Sequence, residues 1–163
     1  MKKIKLTQGM FALVDNCDYP EMSNYRWYAL KNGNTWYAAR NVGKCPHRKK
    51  VLMHRQILGA LPGQQCDHMN HNGCDNRRMN IRLCTSAQNR MNERPRKGGS
   101  SKFKGVSFNK ECRKWKAQIT LNGKRKHLGY FTKEIDAVKA RDDAERELFG
   151  EFANPNFPQR IAG

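Results

Sequence analysis

The stretch Cys66-Asp67-His68-Met69-Asn70-His71-Asn72-Gly73-Cys74-Asp75-Asn76-Arg77-Arg78-Met79-Asn80-Ile81-Arg82-Leu83 decides how this chain is read. Gln64 to His68 reads as a strand, Met69 to Met79 as a polar loop rich in turn formers, and Ile81 to Cys84 as a second strand. Thr85 or Ser86 then offers a hydroxyl to cap a short helix running through Asn92. Within this frame, Asp67 and Asn89 carry the hard oxygen donors that Mg²⁺ or Mn²⁺ prefers. Two protein donors leave coordination positions for water and a phosphate. His68, with an ordinary pKa of about 6.5, accepts a proton at neutral pH without strong tuning. Consecutive strand side chains point to opposite faces, so bringing Asp67 and His68 to one cleft needs a bend, which the loop start at Met69 permits.

Working outward, the whole chain of 163 residues has room for one ordinary domain or two small ones. Its formal charge of +18, from 32 Lys and Arg against 14 Asp and Glu, points to a polyanionic partner. Double-stranded DNA is the first candidate. A membrane surface is disfavoured, because the basic residues are interleaved with strand-like segments rather than set on an amphipathic helix. No run approaches a membrane span and Met1-Lys2-Lys3 leads into no signal-peptide core, so a cytoplasmic protein in a bacterial host cell is expected. The six cysteines, Cys17, Cys45, Cys66, Cys74, Cys84 and Cys112, form no Cys-x-x-Cys pair and are expected as free thiols. A zinc site from Cys66, Cys74, Cys84 and His68 or His71 has suitable ligand types but not the usual tight spacing.

Residues 1–50 read as short strands around the Gln8-Gly9 and Asn32-Gly33-Asn34 turns, giving a small antiparallel sheet. Its aromatics, Tyr25, Trp27, Tyr28, Trp36 and Tyr37, are weighted toward core packing over base stacking. Val51 to Gly59 has helical apolar spacing, with His54-Arg55 just ahead of the motif and open to either a phosphate contact or plain packing. Residues 95–101, with Pro95, Gly98, Gly99 and Ser100, read as a linker. Beyond it, strand-like runs at 103–108, 115–121 and 126–131 precede a helix capped by Thr132, with Ala137, Ala140, Ala144 and Leu148 on one face and Gly150 at its end.

The motif resembles the HNH nucleases of the phage homing-endonuclease type. That resemblance implies a ββα-metal unit in which His68 is the general base, Asp67 and Asn89 hold Mg²⁺ or Mn²⁺, and Asn80 ties the loop and helps orient the histidine. Arg78 and Arg82 are the phosphate contacts nearest the cut, with a solvated basic loop as the alternative. The sequence departs from the usual family pattern where Cys66 replaces an aliphatic residue and Met69-Asn70-His71-Asn72 replaces Ile-Asn-Gly-Asn. His71 is an additional titratable group with a surface residue as its default reading.

Lys104-Gly105-Val106-Ser107, Lys114-Trp115-Lys116-Ala117-Gln118-Ile119, Lys126-His127-Leu128-Gly129-Tyr130-Phe131 and the helix through Gly150 resemble the APETALA or ethylene-response-factor type of DNA-binding domain. The resemblance implies a three-stranded sheet laid into the major groove, read by Lys104, Lys114, Lys116, Gln118, Arg125 and His127. His127 stands where plant relatives carry tryptophan, and several lysines stand where they carry arginine. Independently, residues 90–130 hold thirteen Lys and Arg against Glu93 and Glu111. In the 115–121 run, Trp115, Ala117 and Ile119 alternate with Lys116, Gln118 and Thr120, making one apolar and one charged face.

The resulting expectation is an α+β chain. It comprises an N-terminal β-rich region (1–50), a central HNH unit (51–94), a linker (95–101), a sheet-type DNA-binding domain (102–155) and a tail (156–163). The expected function is a metal-dependent DNA endonuclease acting as a monomer on DNA. A DNA-binding regulator with an inactive nuclease unit, and a zinc-structured RNA-binding protein, are the alternatives.

Overall fold

The computed structural model describes residues 1–93 and 98–157. The chain is α+β and divides into two compact units, Met1–Ser86 and Ala87–Gly163. Residues 95–97 of the expected linker and 158–163 of the expected tail lie outside the described residues. No helix among the described residues is long and apolar enough to cross a membrane.

The first unit is built from three small antiparallel sheets. A hairpin, β1 (Lys2–Lys5) and β2 (Phe11–Val14), turns at Gln8-Gly9. After the short helix α1 (Tyr19–Ser23), a three-stranded meander follows: β3 (Tyr28–Asn32), β4 (Thr35–Val42) and β5 (Lys49–Leu52). Helix α2 (Met53–Ile57) leads to the pair β6 (Gln65–His68) and β7 (Ile81–Cys84). The expected helix from Val51 is shorter than its apolar spacing suggested, because Val51 and Leu52 pair with Arg40 and Ala39 and extend the sheet. One core holds these pieces together, drawing Ile4, Leu6, Ala12 and Val14 from the first hairpin, Met22 and Trp27 from around α1, Met53 and Ile57 from α2, and Ile81 from β7. Trp27 is core, and its indole N–H donates to the Met22 carbonyl at 2.7 Å, which satisfies the polar atom that burial would otherwise strand.

The second unit contains α3 from Ala87 onward (Ser86–Met91), the meander β8 (Val106–Asn109), β9 (Lys114–Leu121) and β10 (Lys124–Phe131), helix α4 (Glu134–Phe149) and a 3₁₀ turn (Gly150–Phe152). The Asn122-Gly123 hairpin is present, both residues having positive φ, as a type I′ turn requires. Trp115, Ala117 and Ile119 line one face of β9, and α4 covers it with Ala137 and Val138. The helix differs from its sequence reading in two respects. Lys133, not Thr132, is its N-cap, with no side-chain cap bond. Its buried face is Ala137, Val138, Arg141, Asp142, Glu145 and Phe149, with Ala140, Ala144 and Leu148 of the expected stripe only half-buried, so the covered stripe is partly charged. These charges are paired: Glu145 takes Arg141 and the Lys104 ammonium (2.8 Å), while Asp142 accepts from Asn156 and the Phe157 N–H. Gly105, at φ +76, makes the arrangement possible, because a Cβ there would lie 2.6 Å from both Arg141 Nε and the Gln118 carbonyl.

Candidate active site

Asp67 and His68 are the last two residues of β6, and the antiparallel register sets Asp67 opposite Arg82 and His68 opposite Ile81. Directly opposed residues share a face, so the alternation sends the two side chains to opposite faces of the pair. On one face, Arg82 closes on Asp67 Oδ2 through Nε (3.2 Å) and Nη2 (2.9 Å). On the other, the imidazole of His68 packs edge-on against His54, with ring centroids 4.6 Å apart, and against Tyr37 at 5.7 Å. His54 comes from α2 and Tyr37 from β4, and the two also touch each other.

Burial lowers the His68 pKa from its ordinary value. Asn76 and the carboxylates of Asp67 and Asp75 act in the opposite sense without overcoming it. The ring is therefore a neutral imidazole at neutral pH. His54 goes further, pulled down to about 3 by burial, then by His68 and Arg55, and its Nδ1 is buried with no hydrogen-bond partner among the described residues. Two neighbouring imidazoles in an apolar wall make protonation of either one costly.

The loop between the strands is braced from within. Asn80 accepts from the Asn70 N–H at 3.0 Å and donates to the Asp75 carbonyl at 2.7 Å, while its own carbonyl receives the Met69 N–H. Asn70 and Asn72 each accept from the N–H two residues on, the turn chemistry that asparagine favours. Asp75 is buried and gathers a bidentate Arg77 and the Asn70 amide, which hold its carboxyl below the usual range. The loop also docks on β2, with Leu13 donating to the Cys74 carbonyl and accepting from Asn76 N–H, both at 2.8 Å. Gly73 is the point of closest approach: a Cβ there would sit 2.5 Å from the Trp36 carbonyl and from the Tyr37 ring.

The remaining expected site residues are distributed as follows. Arg78 holds Asp18 through two nitrogens and donates its N–H to Asp15, which ties the loop's far end to the α1 region. His71 sits at φ +59 and donates its N–H to the His68 carbonyl, so its place in the turn is set by backbone. Asn89 lies on α3, within the second unit. Cys66 lies against Arg55 and Cys74 against the Trp36 carbonyl, and burial raises both thiols. Among the described residues, no group of three or more His, Cys, Asp or Glu is placed to hold a metal ion.

In the second unit, Lys116, Gln118 and Thr120 lie on the sheet face away from α4, opposite Tyr130, His127 and Arg125 of β10, while Ser107 of β8 flanks Lys116. Lys114, Lys116, Gln118, Arg125 and His127 thus form one surface, and the His127 and Tyr130 rings meet across the irregularity between His127 and Gly129. Lys104 is not part of that surface. Its ammonium is turned inward to Glu145 and the Met91 carbonyl, and burial, with Arg141 nearby, pulls its pKa down to about 7.

The chain is 34% identical over 155 residues, 91% of its length, to an uncharacterized HNH endonuclease of Acanthamoeba polyphaga mimivirus, of which the match covers 76%. It belongs to the HNH endonuclease family. It is also 29% identical over 107 residues to protein 3.8 of Escherichia phage T7, covering 65% of this chain and 88% of that one. No family model and no solved structure matches it. Sequence reasoning placed Tyr37 in the core of the N-terminal sheet and left His54 between a phosphate contact and packing, but did not bring either to the His68 ring that they wall, and it gave Asp75, which anchors the loop, no role. The only local signal was the Asn-rich run, whose turn chemistry marks the loop as internally bonded.

Proposed function

We propose that the chain is a metal-dependent DNA endonuclease of the phage homing type, with the sheet of the second unit as a separate DNA-recognition surface. The observation that carries this reading is a buried imidazole, His68, walled by His54 and Tyr37 at the head of a loop braced by Asn80, in a chain that belongs to the HNH endonuclease family. In the proposed reaction, His68 accepts the proton of the water that attacks the scissile phosphorus. Asn80 keeps the loop, and with it the end of β6, in one geometry, while Tyr37 and His54 shield the ring from bulk water. Asp67 and Asn89 would hold Mg²⁺ or Mn²⁺, which when bound supplies charge stabilisation at the phosphoryl oxygens. A carboxylate and an amide oxygen suit such a hard cation, which keeps several waters and is commonly held by few protein groups. Lys114, Lys116, Gln118, Arg125 and His127 would face double-stranded DNA, in the manner of the APETALA-type sheet that this region resembles, with the protein acting as a monomer.

A second reading, a DNA-binding regulator with an inactive nuclease unit, is favoured by one feature: Arg82 already occupies Oδ2 of Asp67. Plasmid nicking separates the two. Under the nuclease reading, supercoiled DNA is nicked or linearised with Mg²⁺ or Mn²⁺ and left intact with EDTA, and His68→Ala shifts DNA on a gel without cutting it. A wild-type protein that shifts DNA yet leaves it intact with either metal would establish the regulator reading instead.

A further inference from the structure

Between Glu21 and Asp67 the chain carries no acidic residue, yet it carries Arg26, Lys31, Arg40, Lys44, Arg48, Lys49, Lys50 and Arg55. The structure concentrates half of these at one place. Lys44 and Arg48 lie in the connection between β4 and β5, Lys49 and Lys50 open β5, and all four are exposed, together with His47. None makes an ion pair among the described residues, although the first unit's carboxylates at Asp18, Asp67 and Asp75 are each taken by an arginine elsewhere. Four uncompensated cations on one hairpin repel one another, and the hairpin's own fold makes no use of them.

The register relates this cluster to the candidate base. Lys50 pairs with Asn41, and Asn41 shares its face of β4 with Tyr37, because the two are four residues apart. Tyr37 is the ring that packs against His68. At a rise of about 3.4 Å per residue, Lys50 lies about 14 Å along the strand from that contact, on the same side of the sheet. Each DNA strand presents a phosphate about every 3.4 Å of helix axis, so this separation, laid along the axis, spans about four nucleotides.

We infer that the β4–β5 hairpin is a second DNA-backbone contact, built into the nuclease unit itself and distinct from the sheet of the second unit. It grips phosphates a few nucleotides from the scissile bond and carries no base specificity, since exposed lysine and arginine side chains that meet only the backbone read charge and not base edges. The inference rests on the endonuclease reading given above. Its partner is duplex DNA and not an acidic protein surface, because the hairpin that bears the cations is built on β4, the strand whose Tyr37 packs against the proposed base.

The test is fluorescence anisotropy of the full chain on a labelled random-sequence duplex in EDTA across a range of salt, beside plasmid cutting in Mg²⁺. For K44Q/R48Q/K49Q/K50Q the slope of log K against log salt is expected to shrink by about three, with affinity falling about tenfold or more near physiological salt. The charge-keeping K44R/R48K/K49R/K50R is expected to bind like wild type. K44Q/R48Q, which touches only the connection and no paired strand residue, should give about half the change in slope, and keeps the test valid if the quadruple variant is unstable. Glutamine variants with the wild-type slope and affinity, alongside a wild type that cuts, overturn the hairpin contact and leave the nuclease reading standing. A wild type that neither binds nor cuts removes both.

Discussion

In the first unit, Arg77, Arg78 and Arg82 each close on a carboxylate, Asp75, Asp18 and Asp67 respectively. On the outer face of the second unit's sheet, Lys114, Lys116 and Arg125 make no ion pair among the described residues, and that unit pairs its buried charges beneath the sheet, through Lys104, Arg141, Glu145 and Asp142. Both regions are strongly basic, so charge alone does not distinguish them. The difference lies in what the cations are attached to. A guanidinium fixed by two hydrogen bonds to a buried carboxylate sets geometry, and removing it strands a charge. A lysine with nothing opposite it contributes little to the fold and is available to a polyanion. The first unit uses Arg77, Arg78 and Arg82 to brace the loop beside His68, whereas Lys114, Lys116 and Arg125 on the second unit's outer sheet face, like the β4–β5 cluster of the first, have no such structural duty.

The sharpest break in this comparison comes from the proposed base. His68→Ala is expected to lower single-turnover cutting about 10³-fold or more while leaving DNA affinity within about twofold, measured on one labelled duplex by product gel and anisotropy. Cutting at wild-type rate would show that the braced loop serves something other than proton transfer. Next in size is Asn80→Ala. Deleting the amide leaves the Asn70 N–H and the Asp75 carbonyl without their partners, which is expected to cost about 2–4 kcal/mol in urea unfolding. Gly73→Ala follows at about 1–3 kcal/mol, because the added methyl meets a carbonyl and a ring at 2.5 Å, and the displaced Tyr37 is expected to reduce cutting as well.

Protons test the same region more gently. His54 binds a proton in the unfolded chain below its ordinary value of 6.5 but in the folded protein only near 3. Its contribution is therefore fully present above pH 6.5 and lost as the pH falls toward 3, with a slope of at most about 1.4 kcal/mol per pH unit. Thermal unfolding of His54→Phe across that window should show a flatter pH dependence than wild type, and an unchanged slope would mean that His54 is not held neutral. The smallest effect on the fold is expected on the open sheet. Replacing Lys114, Lys116 and Arg125 together by Gln should leave the unfolding midpoint nearly unchanged, while the salt slope of DNA binding shrinks by about two to three. A loss of stability instead would erase the distinction between fixed and open cations.

How much of this was legible in the sequence follows from how local each signal is. The β6-loop-β7 run was readable because asparagine turns, a glycine and two short apolar strands lie within about twenty residues, and the Asp67 to Asn80 spacing sits inside them. The hairpin at Asn122-Gly123 was readable for the same reason. The wall around His68 was not, since His54 and Tyr37 reach it from elements distant in sequence, and only packing of β4, α2 and β6 brings them together. The inner face of α4 was misjudged for a related reason. An alanine stripe is the natural reading of the apolar spacing, but Lys104, supplied from before β8, lets Glu145 and Arg141 be buried in place of hydrophobic residues. Lys104 itself looked like a reader in the linear sequence because its ion partner lies some forty residues away.

The paired amides and carbonyls between Leu13 and the residues on either side of Asp75 have a practical consequence for anyone seeking the smallest cutter. The floor beneath the reactive loop is made by the first fourteen residues, so a fragment beginning at α2 would carry the whole motif and none of its foundation. Trimming from the front end should therefore damage the centre sooner than its distance along the chain implies, and a fusion partner is best attached elsewhere.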